Sequence, residues 1–303
     1  MKMIIESKDN RHFKEFKKLT AVDGVRKYGR VIVSGKKLIK EIAHAPAGSS
    51  RSLLIYERYA DEDREMQAIV QRFADAGSLY TLKKHLYNEL DTFNTNAPLL
   101  VIQTPEIHEW DYRLTDGCNI LIPFQDPVNV GAVIRSAAGF GVKKIIMLKE
   151  AAHPFHPRSI RASAGAVFRF IHPHPAPLPS SQAISATRER GLLIRCPGGR
   201  RLRGGGTENN GRKMGLCRGP SINELKTICD QRKLNIIALD MAGTSIESFH
   251  FPAKFILLPG LEGQGIPEAL KASSISIPIS GEIESLNAAI ATSIILFYWH
   301  LNI

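Results

Sequence analysis

Apolar positions along this chain recur at two spacings, and segments of each kind alternate for most of its length. Between His12 and Leu19, the residues Phe13, Phe16 and Leu19 recur every three positions with lysines between them, which predicts an amphipathic helix. Arg30-Val-Ile-Val-Ser reads as a short strand and Lys37-Leu-Ile-Lys-Glu-Ile-Ala as a helix. Ser52-Leu-Leu-Ile-Tyr is another strand. Asp61 to Ala74 is predicted as a helix, its acidic opening residues suiting the positive end of a helix dipole. Asn94-Thr-Asn-Ala-Pro followed by Leu99-Leu-Val-Ile predicts a turn and one more strand. Residues 1–102 thus read as a small α/β domain. Residues 103–117, with Pro105, few apolar side chains and several charges, read as a linker.

From Cys118 the pattern changes to continuous apolar runs broken by glycine turns. Asn119-Ile-Leu-Ile-Pro, Lys144-Ile-Ile-Met-Leu, Asn235-Ile-Ile-Ala-Leu and Lys254-Phe-Ile-Leu-Leu suit central strands of a parallel sheet covered on both faces. Helical patterns at Gly131 to Gly139 and Asn287 to His300 lie between and after them. Residues 118–303 are therefore a second α/β domain. About residues 173–220 the pattern fails: His-Pro-His-Pro-Ala-Pro-Leu-Pro leads into a Gly- and Arg-rich stretch, and residues 191–219 alone hold 9 of the 24 glycines. A packed core is implausible there, so this reads as a flexible basic insertion.

Charge sharpens the picture. The 303 residues carry 40 Lys and Arg against 29 Asp and Glu, a formal net charge of +11. Residues 1–40 contribute +8 and residues 188–218 contribute +7, which leaves the remainder at −4. Two concentrated positive segments suit a polyanion, with nucleic acid ahead of an anionic membrane surface. The four cysteines, Cys118, Cys196, Cys217 and Cys229, form no CxxC pair and are too scattered for a disulfide framework, so a cytoplasmic protein without structural zinc is expected. The longest apolar stretch, Ala288 to Leu301, is shorter than the roughly 20 residues of a membrane span and reads as a buried helix.

Three glycine-containing blocks in the second domain carry the candidate chemistry. Asp126-Pro-Val-Asn-Val-Gly-Ala-Val-Ile-Arg-Ser follows a strand and opens a helix, which sets Asn129 and Arg135 near the carboxyl edge of a sheet, where α/β ligand sites form. From the local pattern alone, Asn129 reads sooner as a helix cap and Arg135 as a solvated side chain. Leu257-Leu-Pro-Gly-Leu-Glu-Gly-Gln-Gly-Ile-Pro sets Glu262 among Gly260, Gly263 and Gly265. Its spacing is neither GxGxxG nor GxxxxGK[ST], which disfavours a nicotinamide or nucleoside-triphosphate site. Glu262 in that loop suits a hydroxyl, an amine or a cation better than a phosphate. The third block, Ile275 to Ala291, reads strand, turn, helix, with Ser285 near the N-cap and Asn287 in the first turn, where asparagine is a mediocre helix former. His153, His156, His172 and His174 are separated by prolines that keep them from aligning as metal ligands. Neither a Ser/His/Asp order nor a GxSxG elbow is present.

In order and content the three blocks, DPVNVGAVIRSAAGFG at 126–141, LPGLEGQGIP at 258–267 and IPISGEIESLNAAIA at 277–291, resemble the motifs of the SPOUT superfamily, specifically TrmH/SpoU-type RNA ribose 2′-O-methyltransferases. SIRASAGAVFRF at 159–170 is similar to the segment joining the first two motifs, and the N-terminal region resembles the small substrate-binding domain that often precedes the catalytic one. The resemblance implies a C-terminal parallel-sheet domain with a trefoil knot, an S-adenosylmethionine cofactor and a homodimer whose active site is completed across the interface. It implies catalytic and substrate-positioning roles for Asn129, Arg135, Glu262, Ser285 and Asn287. It also implies a cofactor pocket around Leu239, Gly260, Gly263, Ile277 and Leu286, and no metal. Arginine rarely gives up its proton, so Arg135 is expected to orient the ribose–phosphate and stabilise the developing alkoxide, with an RNA phosphate or water accepting the proton. Ribosomal RNA is the favoured substrate; transfer RNA, or a catalytically silent RNA-binding protein of this fold, are the alternatives. One departure stands out. Leu261 replaces the small polar residue that the family usually has before the glutamate.

Overall fold

A computed structural model describes residues 3–43, 51–170, 215–261, 265–281 and 283–302. Its first sheet holds β1 (Met3–Ile5), β2 (Arg30–Ser34), β3 (Ser52–Tyr56), β4 (Leu79–Leu82) and β5 (Leu99–Gln103) in the order β1-β4-β3-β5-β2. β4 is parallel to β1 and β3, and β5 runs antiparallel to both β3 and β2. Helices α1 (Arg11–Lys18), α2 (Val22–Tyr28), α3 (Lys36–Ala43), α4 (Arg64–Asp75) and α5 (Lys84–Leu90) connect or flank these strands. The spacing of three in α1 does what it predicts: Phe13, Phe16 and the capping Leu19 are buried, and Phe16 meets Tyr80 edge-on at 5.2 Å. Each buried phenylalanine contributes roughly 1.5–3 kcal/mol.

Helix α4 begins at Arg64, three residues later than the acidic run predicts. Asp63 is its cap, accepting from the Glu65 and Met66 amides at 3.0 and 3.3 Å, while Asp61 is drawn away to Lys36 at 2.9 Å and to the Tyr59 hydroxyl. Capping geometry, not acidity alone, sets where a helix starts.

The second sheet holds β6 (Gly117–Ile122), β7 (Lys144–Met147), β8 (Gly215–Arg218), β9 (Ile236–Ser245), β10 (Lys254–Leu258) and β11 (Ser274–Ser276), in the order β11-β9-β10-β6-β7-β8. Every pair in it is parallel. The apolar runs expected as central strands are β6, β7, β9 and β10, and most of their side chains are buried. Helices α6 (Pro127–Gly139), α7 (Pro157–Ala162), α8 (Ile222–Arg232) and α9 (Ala288–Leu301) accompany the sheet.

Two stretches behave differently from their sequence texture. Within residues 103–117, Ile107 and Trp110 are buried, and the backbone brackets β8 through Trp110 N to Arg218 O at 2.7 Å and Arg218 N to His108 O at 2.9 Å. Ile107 and Trp110, joined by the partly buried Tyr112 and Leu114, dock a segment that is otherwise polar. The end of the expected insertion, Gly215–Arg218, is the edge strand β8, held by β7; residues 171–214 lie outside the described residues. The two sheets share apolar contact, since Val31, Val33 and Ile39 join one buried cluster with Val130, Phe155 and Phe170. Arg161 of α7 also stacks over Phe93, 4.5 Å from its ring centre.

Candidate functional site

The middle of β9, the segments that follow β10 and β11 and the start of α9 enclose a cavity of about 250 Å³. Four residues expected to bind a cofactor, Leu239, Gly260, Ile277 and Leu286, line it together. So does Ser285, which therefore belongs with this group and not with a cap or with Asn129. Glu262 and Gly263 lie outside the described residues. The wall is mostly aliphatic, with Ile266, Ile279, Ala288 and Ala291 completing it. Asp240 brings one carboxylate to that wall. Its Oδ1 accepts from the Ala242 amide at 3.0 Å, and Lys271 pairs with Oδ2 at 3.0 Å. The Ala242 amide and Lys271 hold this carboxyl below the usual carboxylate range.

The second cluster lies where α6 meets α9. Asp126 caps α6 through the Val128 amide at 3.0 Å, with Pro127 at the first helical position, so Asn129 is relieved of capping. Asn287 is the cap of α9, a step earlier than its expected place inside the helix, and Ser285 is not. The Asn287 Oδ1 accepts from Ala289 and Ile290 at 3.0 and 3.2 Å, which leaves its amide nitrogen to donate to Asn129 Oδ1 at 3.3 Å. The first and third motifs thus meet through two side chains 158 residues apart. Ser136 and Ser293 bond at 2.8 Å further along the same helix pair. An open groove of about 560 Å³ runs beside them, lined by Asn129, Asn287, Ser293, Ile290 and Phe297 among others.

Arg135 is exposed on α6 and lines neither cavity. It is six residues beyond Asn129, about 120° away around the helix at roughly 100° per residue. Among the described residues it makes no hydrogen bond and no ion pair, which leaves its five N–H donors available. Other reactive side chains are committed elsewhere. Burial raises the thiols of Cys118, Cys217 and Cys229, the latter two to about 12 and about 11, so none is a thiolate at neutral pH. The rings of His153 and His156 accept from the Phe155 and Arg158 amides and hold turns; burial pushes His153 down to about 4. His172, His174 and Cys196 lie outside the described residues.

These two clusters fall within one recognised sequence pattern. The model of the SpoU rRNA Methylase family matches residues 119–190 and 207–297. The chain belongs to that family. Asn129, Arg135, the residues lining the smaller cavity and Asn287 all lie inside the matched residues, so the resemblance read from the three motifs is borne out. A relative from Syntrophobacter fumaroxidans, named ribosomal RNA small subunit methyltransferase G 2, is 35% identical over 297 residues, covering 97% of this chain and 48% of its own length. This SpoU-family chain therefore spans about half of that relative. Among solved structures, an AdoMet-bound rRNA methyltransferase from Sinorhizobium meliloti shares the fold with a TM-score of 0.68 at 18% identity, covering 99% of this chain and 98% of its own. An RNA 2′-O ribose methyltransferase shares it equally, with a TM-score of 0.68 at 20% identity and the same coverage.

The sequence reading missed Asp240, Met241 and Ile266 as cavity residues and Asp126 as the cap of α6. Asp126-Pro127 carried a usable signal, a capping residue directly before a proline. Asp240 carried none, because the strand pattern that ends at Leu239 says nothing about where the next side chain turns.

Proposed function

We propose that this SpoU-family protein is an S-adenosylmethionine-dependent methyltransferase that methylates a ribose 2′-hydroxyl in RNA, with ribosomal RNA favoured over transfer RNA. The carrying observation is that Asn287 of the third motif reaches Asn129 of the first, while the start of the same helix closes a cavity shared with the second. The cavity suits an adenosyl ligand. Its aliphatic walls can sandwich a purine, and at Gly260 an added Cβ would stand 3.7 Å from the Leu239 carbonyl, so no protein side chain fills that space. At about 250 Å³ it is somewhat below the roughly 300–1,000 Å³ of drug-sized sites, as suits a nucleoside held with its tail exposed.

The donor supplies an electrophilic methyl group to an in-line displacement, so alignment is the main task left to the protein. Asn129 and Asn287 offer amide groups to position the acceptor ribose, and Arg135 offers donors to the adjoining phosphate and to the alkoxide as charge develops. The Arg135 guanidinium stays protonated, so the hydroxyl proton passes to an RNA phosphate or water. In the N-terminal domain, Lys18 and Lys27 approach the Tyr28 ring, at 6.0 and 5.8 Å, and neither forms an ion pair among the described residues. This aromatic and basic patch supports an RNA-docking role for that domain.

The exposed apolar face of α9 supports a homodimer. Ile290, Ile294, Phe297 and Leu301 are exposed along one stripe of that helix, and Val128 is exposed at the start of α6. An apolar stripe bordering polar site residues is the expected mark of an interface. Phe297→Glu is expected to convert a dimer to a monomer in light scattering at micromolar concentration; a dimeric variant would remove this face from the interface. A trefoil knot is supported by the order of the strands. After β10 the chain passes to the far side of β9 as β11, and then returns as α9 to pack on α6. Among the described residues no helix is long and apolar enough to cross a membrane; a cytoplasmic location is part of the same proposal.

The test is transfer of a labelled methyl group from S-adenosylmethionine to ribosomal and transfer RNA. Alkali-resistant labelled dinucleotides are expected; label released in mononucleotides would replace ribose methylation with base methylation. Asn287 separates structure from chemistry. Asn287→Ala should cost about 1 kcal/mol of stability through the lost cap and about tenfold or more in turnover. Asn287→Ser should recover the stability but not the turnover, because serine caps α9 yet cannot span to Asn129. Full recovery of turnover by serine would reduce Asn287 to a cap.

A further inference from the structure

Strand β9 leaves its partner in the middle of its course. Ser274 of β11 pairs with Ala238, yet the next residue, Ile275, pairs with Thr244, so residues 239–243 have no counterpart on β11. An irregularity of this kind bends a strand and re-aims its side chains, and such features gather beside active sites. The return is tight. A Cβ at Gly243 would stand 2.6 Å from the Ile275 amide nitrogen and the Ser274 carbonyl carbon, and Ser276 Oγ donates to the Gly243 carbonyl at 2.9 Å. The first three residues of the excursion, Leu239, Asp240 and Met241, are the ones that line the donor cavity. Among the described lining residues Asp240 alone is charged.

Among the described residues its carboxylate is held but not saturated. A carboxylate offers about four acceptor positions, and the Ala242 amide and Lys271 occupy one on each oxygen. Lys271 is fixed in turn by Glu268 at 3.2 Å. The remaining positions call for O–H or N–H donors. Lys271 already pairs with Asp240 and sits beside the carboxylate, so a cationic ligand group there would crowd the lysine. Neutral hydroxyls lose nothing by that arrangement, and a vicinal pair can address both oxygens.

We propose that Asp240 reads the ribose hydroxyls of the adenosyl donor, presented to them by the excursion in β9 and held in place by Lys271. The inference rests on the donor-site reading above. It makes Asp240 a binding residue for the donor, distinct from the groups that meet RNA.

Calorimetric titration of the whole protein with S-adenosylhomocysteine and with its 2′,3′-dideoxyribose counterpart tests it. The native protein is expected to prefer the hydroxylated ligand by at least about tenfold, as hydrogen bonds to a charged group allow. Asp240→Ala should bind the two within about twofold of each other, chiefly by losing affinity for the hydroxylated one. Undiminished preference in Asp240→Ala would overturn the proposal. So would equal affinities in the native protein, a comparison that holds even if the variant fails to fold. Native protein that binds neither ligand would sink the donor-site reading itself, and with it this inference.

Discussion

Arg135→Ala is expected to lower methyl transfer at saturating substrates by about 10²–10³-fold, the range for removing one donor aimed at a developing oxyanion. Donor affinity should stay within about twofold, because Arg135 does not line the cavity proposed for the donor. Stability should hardly move, since the side chain is exposed on α6 without a hydrogen-bond or ion-pair partner among the described residues. That combination, a lost rate with intact binding and folding, is what a group facing the acceptor produces. Arg135→Lys should recover only part of the rate, because an ammonium is a point charge and cannot reproduce a planar fork of donors. Rates from single-turnover label transfer, set beside calorimetric donor binding, decide the matter. A variant with native turnover would leave Arg135 as a solvated side chain.

Gly131→Ala carries the largest expected effect on folding. Alanine in place of a helix-interior glycine ordinarily stabilises by roughly 1 kcal/mol. Here the added Cβ would stand 2.4 Å from the Ser159 carbonyl oxygen, 2.7 Å from the Ala162 Cβ and 3.0 Å from the Ser163 amide nitrogen. Two of these neighbours are backbone of α7 and the turn after it, which no rotamer change can move aside. Overpacking costs about 1–3 kcal/mol, and close contact with backbone puts this case at the upper end, for a net loss of about 2 kcal/mol. The variant should melt several degrees lower and reach its denaturant midpoint earlier. Its turnover should fall as well, because α7 can separate from α6 only by disturbing the helix that carries Asn129 and Arg135. A rise in melting temperature would show that the two helices have room to spare.

Local chemistry determined much of this protein in advance. Four apolar runs became four parallel strands, and the spacing of Phe13, Phe16 and Leu19 became a buried helix face, because burial and side-chain period are properties of neighbouring residues. Asn287 stood out as a poor helix former at the head of an apolar helix, and it is the cap. The three motifs could be read together because in order and content they resemble those of the TrmH/SpoU type. Tertiary structure alone decided how these pieces meet. Asn129 and Asn287 touch because α9 lies on α6, and no periodicity in either helix encodes that. Trp110 turned a polar stretch into a docked segment by meeting β8, whose own glycine-rich surroundings conceal a strand. The excursion at 239–243 aims Asp240 at the cavity, and it exists only because β11 arrives in a particular register beside β9. Capping and burial act over a few residues and leave their marks in the sequence. Register and helix packing are settled between segments that meet only once the chain has closed its long loops, so they are absent from any one stretch of it.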